Sequence, residues 1–170
     1  MRIERLYRYP VKGLTAEALE EAHVEAGGAL PWDRAFALAQ GDSGFDPAQP
    51  VWMHKSSFMC LLKNARIAAL RAAFDPHDRC LTIRAPDGAF VAASPMTPDG
   101  RERIAAFLVR YLGEEARGEP RFHHVPGHVF GDSRRPAVSL IALSSLHAFE
   151  RHVGAPRDLM RFRANIYFSG

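Results

Sequence analysis

Ile3-Glu4-Arg5-Leu6-Tyr7-Arg8-Tyr9, stopped by Pro10-Val11-Lys12-Gly13, is the stretch on which the reading of the fold turns. Its apolar and polar residues alternate with a period of two, which sends successive side chains to opposite faces of a strand. Proline cannot continue a hydrogen-bonded ladder, and glycine frees the backbone beyond it. A half-buried strand is therefore predicted here, ending in a tight corner where Lys12 sits beside free backbone amides.

Working outward, the same punctuation recurs at roughly ten-residue spacing, the pattern of a β-barrel or sandwich. Residues 19–24 read as a second strand ended by the turn at Gly27-Gly28, and residues 34–39 as a third, followed by a proline-rich loop to Pro50. Residues 58–62 are a short apolar piece. Residues 65–74 and 79–83 flank the turn sequence Asp75-Pro76-His77-Asp78, and Pro86-Asp87-Gly88 predicts a hairpin between Ile83 and Val91. Then the period changes. Thr97-Pro98-Asp99 supplies a cap, a first-turn proline and an early acid, and Ile104, Phe107, Leu108, Tyr111 and Leu112 share one helical face that Gly113 ends. A basic connector rich in Gly and Pro runs on to Pro136. Residues 137–142 read as a strand, Ser144-Ser145 as the start of a second helix with Leu146, Phe149 and Val153 on one face, and a last strand starts near Ala164. The expected class is mainly β with α (α+β). A boundary falls in the connector 114–126, giving segments 1–120 and 121–170.

Composition excludes several classes. The 170 residues are 47% apolar and 24% charged, enough to bury a core without disulfides. A net charge of +3 with scattered positives does not call for nucleic acid. Cys60 and Cys80 form no CxxC or zinc spacing and suit a reducing compartment. There is no signal-peptide core and no apolar run near the ~20 residues of a membrane span, so the expected location is the cytoplasm, with no membrane partner.

Four stretches carry polar chemistry. Lys12 at its corner is an anion site or a plain surface lysine. Trp32-Asp33-Arg34, at the entry to a strand, can bury an Asp–Arg pair against the indole, which in its plain reading is a structural ion pair. Ser144 and Ser145 at a helix start are an anion site or an ordinary N-cap. Arg161, Arg163 and Asn165 share a face if the last strand starts early, and two guanidiniums there require an anionic ligand or an acid such as Asp158. His123, His124 and His128 lack the carboxylate or thiol company of a metal site. Gly131-Asp132-Ser133 reads as a loop, and Lys55-Ser56-Ser57 lacks the glycine-rich lead of a phosphate loop.

In order, YPVKGL (9–14), LPWDRAFAL (30–38), GDS (131–133) with VSLIALSSL (138–146), and RFRANIYFSG (161–170) resemble MOSC proteins with an N-terminal β-barrel domain. That family is named for the C-terminal domain of molybdenum cofactor sulfurase and includes the mitochondrial amidoxime-reducing component. The resemblance implies an N-terminal β-barrel domain followed by the first part of a MOSC β-barrel, which is incomplete. It implies molybdenum cofactor (Mo-molybdopterin) bound by Lys12, Arg34, Ser144, Ser145, Arg163 and Asn165, and no metal ligand among them. Relatives often carry Ser where Gly13 stands and Pro where Ala164 stands. They also continue past Gly170 and carry there the cysteine that binds molybdenum or sulfur, so this stretch is expected to be part of a longer protein and inactive alone. The implied activity is reduction of N-hydroxylated small molecules, with electrons from a separate redox protein. The alternatives are a sulfur-carrier or cofactor-handling module serving a pyridoxal-phosphate cysteine desulfurase, and a non-catalytic binding domain.

Overall fold

The computed structural model describes residues 1–170. Nine strands and two helices follow one another: β1 (Arg2–Arg8), β2 (Glu17–Ala18), β3 (Phe36–Ala39), β4 (Arg71–Asp75), β5 (Cys80–Arg84), β6 (Phe90–Ala93), α1 (Pro98–Leu112), β7 (Arg121–His124), β8 (Leu140–Ala142), α2 (Leu143–Val153) and β9 (Ile166–Ser169). Helix and strand each take 24% of the chain, an α+β composition. No helix is long and apolar enough to cross a membrane.

The strands form three sheets, ordered β2-β1-β9-β8, β3-β7 and β4-β5-β6. All pairs are antiparallel except β8 with β9. The β5–β6 hairpin turns at Asp87-Gly88, where Gly88 adopts the left-handed backbone (φ 87°) that such a turn needs. α1 forms as the sequence predicts. Thr97 accepts from the Gly100 amide, Pro98 stands in the first turn, and Ile104, Phe107, Leu108 and Leu112 are buried. With Leu81 and Ile83 of β5 they belong to a core of 19 buried residues. Each such large side chain contributes about 1.5–3 kcal/mol by leaving water.

β3 is buried on both faces, which no alternation announces. Phe36 and Leu38 enter the main core, while Ala37 and Ala39 face Phe58 and Phe130 in a second cluster. The alanines are small enough to let Phe130 seat there, and Phe130 anchors the loop that follows it.

Several expectations need correction. Residues 19–24 are not a strand. The strand is the pair Glu17–Ala18, held where Glu17 takes Arg8 Nε at 2.8 Å, and the chain beyond lies outside the sheet. The connector holds a strand, β7, which pairs with β3, so residues on both sides of position 120 share a sheet. β9 likewise pairs with β1. It starts at Ile166, because Leu159–Arg161 form a 3-10 turn capped by Asp158 and Arg163 has left-handed backbone (φ 52°). Arg161, Arg163 and Asn165 therefore do not alternate along one strand. Ser144 and Ser145 do not cap α2. β8 runs straight into the helix with Ala142 as the capping residue, which leaves both hydroxyls in the first turn, exposed. Leu146 is buried beneath α2, whereas Phe149 and Val153 are exposed.

Candidate functional site

The corner after β1 is built by backbone pairing. Lys12 N donates to Phe36 O at 2.8 Å, and Phe36 N donates to Pro10 O at 3.1 Å. Gly13 has φ 86°, and a Cβ there would stand 3.0 Å from the Met59 carbonyl, so any side chain at this corner would be strained and would have to shift that carbonyl. Opposite it, Trp32 and Arg34 adopt left-handed backbone (φ 64° and 50°), a conformation costing about 1–2 kcal/mol per non-glycine residue. Strain of this kind concentrates at functional sites.

Asp33 lies at the centre. It is 2% exposed, and its carboxylate accepts from the Tyr9 amide at 2.8 Å, from Asn165 Nδ2 at 3.1 Å and from Arg34 Nη1. The Asp33–Arg34 pair anticipated from the sequence forms, but not against the indole. Arg34 lies over the Tyr9 ring, 4.9 Å from its centroid, while Trp32 packs on Phe36 and Phe74. Arg163 also lies over Tyr9, at 4.3 Å, and donates to Leu14 O at 2.7 Å. Arg34 Nη2 donates to Arg163 O at 3.2 Å. The aromatic face and nearby carbonyls thus allow two guanidiniums to stand close together. Asp158 takes no part. Burial lowers the Arg163 pKa, and Arg34 beside it lowers it further. Burial also pushes the Tyr9 phenol well above its ordinary range.

Asn165 is 1% exposed and every polar atom is engaged. Nδ2 donates to Tyr7 O and Asp33 Oδ1, and Oδ1 accepts from Ser139 N and Ser139 Oγ. It joins β1, the Asp33 turn and the lead into β8.

Lys12 is 5% exposed, and its ammonium donates to Phe130 O (3.0 Å), Gly131 O (3.4 Å) and Asp132 Oδ1 (2.6 Å). Desolvation lowers its pKa against the pull of Asp132. Burial alone would raise the Asp132 pKa, but the Lys12 hydrogen bond and charge outweigh it and hold the carboxyl below its ordinary value.

These groups back a cleft of about 660 Å³, with Arg34, Asp132, Arg134, Arg135, Ser139 and Asn165 in its walls. Trp52 forms another part of the wall, with Arg134 over its ring at 5.0 Å. Of the residues predicted from the sequence, Arg34 and Asn165 line this cleft. Lys12 stands behind Asp132, and Arg163 reaches it through Arg34. Ser144 and Ser145 are not brought to it. Tyr9, Asp132, Arg134 and Arg135 also belong to the site, and residue type alone does not single them out. Tyr9 stood in the quoted YPVK, and the basic pair followed Ser133 directly. No cysteine lines the cleft. Cys60 is buried and Cys80 half-buried, both as free thiols. The arrangement offers convergent cationic donors beside a flat indole, which suits a phosphorylated or carboxylated planar ligand.

The sequence model of one protein family, described as the MOSC N-terminal beta barrel domain, matches residues 1–119. No curated protein and no solved structure matches the chain.

Proposed function

The chain belongs to the family of the MOSC N-terminal β-barrel domain, and from that premise we propose that its cleft binds the phosphorylated pterin of the molybdenum cofactor. The observation that carries this reading is the set of arginines around one cleft: Arg34, Arg134 and Arg135 line it together. Guanidinium forks match phosphate oxygens in a bidentate way. The fit is to the phosphate and ring end of the cofactor, since no thiol lines the cleft to meet a soft metal. When bound, the cofactor supplies oxygen-atom transfer at molybdenum.

The chain's own residues bind and orient. Arg34, held by Asp33 and Tyr9, presents a fixed positive edge to the phosphate. Arg134, stacked on the Trp52 ring, and Arg135 meet it from the loop. In this reading residues 121–170 open a MOSC domain and supply the loop half of the site. In this reading the protein is a cytoplasmic reductase of N-hydroxylated small molecules, supplied with electrons by a separate redox protein.

The test is expression in a host that makes the cofactor, followed by molybdenum analysis and pterin fluorescence on the purified protein. Pterin is expected to co-purify and to be lost in Arg134→Ala/Arg135→Ala, both exposed positions. Protein free of pterin under those conditions overturns the proposal. Amidoxime reduction with an artificial electron donor tests the activity separately.

A further inference from the structure

We propose that Asp132 is a specificity-determining residue that screens Lys12, so that only an anion with further anchor points in the cleft gains access to its ammonium. The inference rests on the anion site proposed above and goes beyond it.

An ammonium has three donors. Those of Lys12 have three acceptors: Phe130 O, Gly131 O and Asp132 Oδ1. No donor is left for a ligand. Two of the acceptors are backbone carbonyls, and Phe130 is itself fixed in a buried cluster, so they stay. The third differs. The Asp132 side chain is 69% exposed while that of Lys12 is 6% exposed. Asp132 lines the cleft and Lys12 does not. The carboxylate therefore stands between the ammonium and the ligand space, on a loop without helix or strand. Any anion reaching Lys12 must displace it.

That exchange selects among ligands. A small inorganic anion offers Lys12 one charge-assisted contact and removes another of the same kind, with little net gain. A ligand that also engages Arg34, Arg134 or Arg135 gains contacts that Asp132 does not oppose. Free phosphate is thus kept from Lys12, whereas a larger phosphorylated molecule anchored on those arginines gains access to it.

The probes are inorganic phosphate and pyrophosphate, titrated calorimetrically against wild-type protein and Asp132→Asn. The variant is close in shape and lies at an exposed side chain. It is expected to bind phosphate about tenfold more tightly, the scale of one charge-assisted hydrogen bond regained by the ligand. Lys12→Gln placed on Asp132→Asn is expected to abolish the gain. Where that double variant fails to fold, side-chain 15N signals of lysine-labelled protein carry the same readout, since Lys12, Lys55 and Lys63 are the only lysines. The Lys12 signal should shift on adding phosphate to Asp132→Asn and stay unmoved in wild type. Equal or weaker phosphate binding by Asp132→Asn overturns the screen and leaves Asp132 as a structural partner of Lys12 or a direct contact to the ligand. A gain that survives loss of Lys12 overturns it too, by showing a general charge effect. Because the probes are inorganic, the screen can stand where the pterin test fails, and the reverse.

Discussion

Asn165 Nδ2 donates to Asp33 Oδ1 at 3.1 Å across 132 residues of sequence. The carboxylate it meets is the one that holds Arg34, so the lead into β9 fixes the position of an arginine near the start of the chain.

Replacing Asn165 tests that link. Asn165→Ala leaves Asp33, Tyr7 O and the Ser139 hydroxyl short of partners in a buried setting. The expected cost is about 3 kcal/mol, read from urea denaturation. Asn165→Asp is expected to cost more, because it sets a second carboxylate against Asp33. A loss within the ordinary surface range of about 0.5 kcal/mol would remove Asn165 from the frame of the site.

Tyr9 offers a graded test. Its hydroxyl donates to Ala164 O at 3.2 Å, and its ring underlies Arg34 and Arg163. Tyr9→Phe keeps the ring and is expected to cost about 1 kcal/mol. Tyr9→Leu removes the aromatic face and exposes the repulsion between two guanidiniums, so a loss of several kcal/mol is expected. Equal costs for the two variants would show that the ring does nothing for the arginines.

Ser144→Ala and Ser145→Ala are expected to leave both stability and pyrophosphate binding unchanged, within about 0.5 kcal/mol. Neither hydroxyl caps α2 or lines the cleft. A clear loss of pyrophosphate affinity in either variant would place the helix start within the site after all.

The pH dependence of stability follows from three histidines. Burial lowers His123, with Arg101 and Arg121 adding to the effect, and burial likewise lowers His124 and His128. A histidine whose folded value is depressed is protonated first in the unfolded chain. Stability is then present above the unfolded value of 6.5 and falls as pH drops through the folded value. The melting temperature is therefore expected to decline on acidification from neutrality, and His123→Phe, beside Phe45, should flatten the decline. A melting temperature level across that range would contradict the assignment.

What could be read in the sequence was local. Thr97, Pro98, the spacing of Ile104, Leu108 and Leu112, and Gly113 together specify α1 without help from the rest of the chain. Asp87-Gly88 does the same for the β5–β6 hairpin. β7 was hidden because Arg121, His123 and His124 occupy three of its four places, and its strand character comes from pairing with β3. The site was half legible. Lys12, Arg34, Arg163 and Asn165 stand out by residue type, but whether a donor is free depends on acceptors far away in sequence. Lys12 and Asn165 read as ligand-binding groups, yet their hydrogen bonds are filled by the protein itself. Ser144 and Ser145 were misplaced by one turn's geometry, since no loop separates β8 from α2.

The pairing of β1 with β9 sets the order in which the chain can acquire structure. Arg2 stands opposite Ser169 and Ile3 opposite Phe168. During synthesis β1 leaves the ribosome early and waits, with one edge unpaired, until nearly all of residues 1–170 have been made. The strands of the β4-β5-β6 meander pair only with their neighbours in sequence, and α1 packs on β6, so this part can begin to assemble in the meantime. Closure of so long a span comes late and slowly, and an unpaired strand edge held open for that time is prone to join another chain. Arg2, Glu4, Arg5 and Arg8 along β1 put charge on that waiting edge, which is the means by which exposed strands resist such joining.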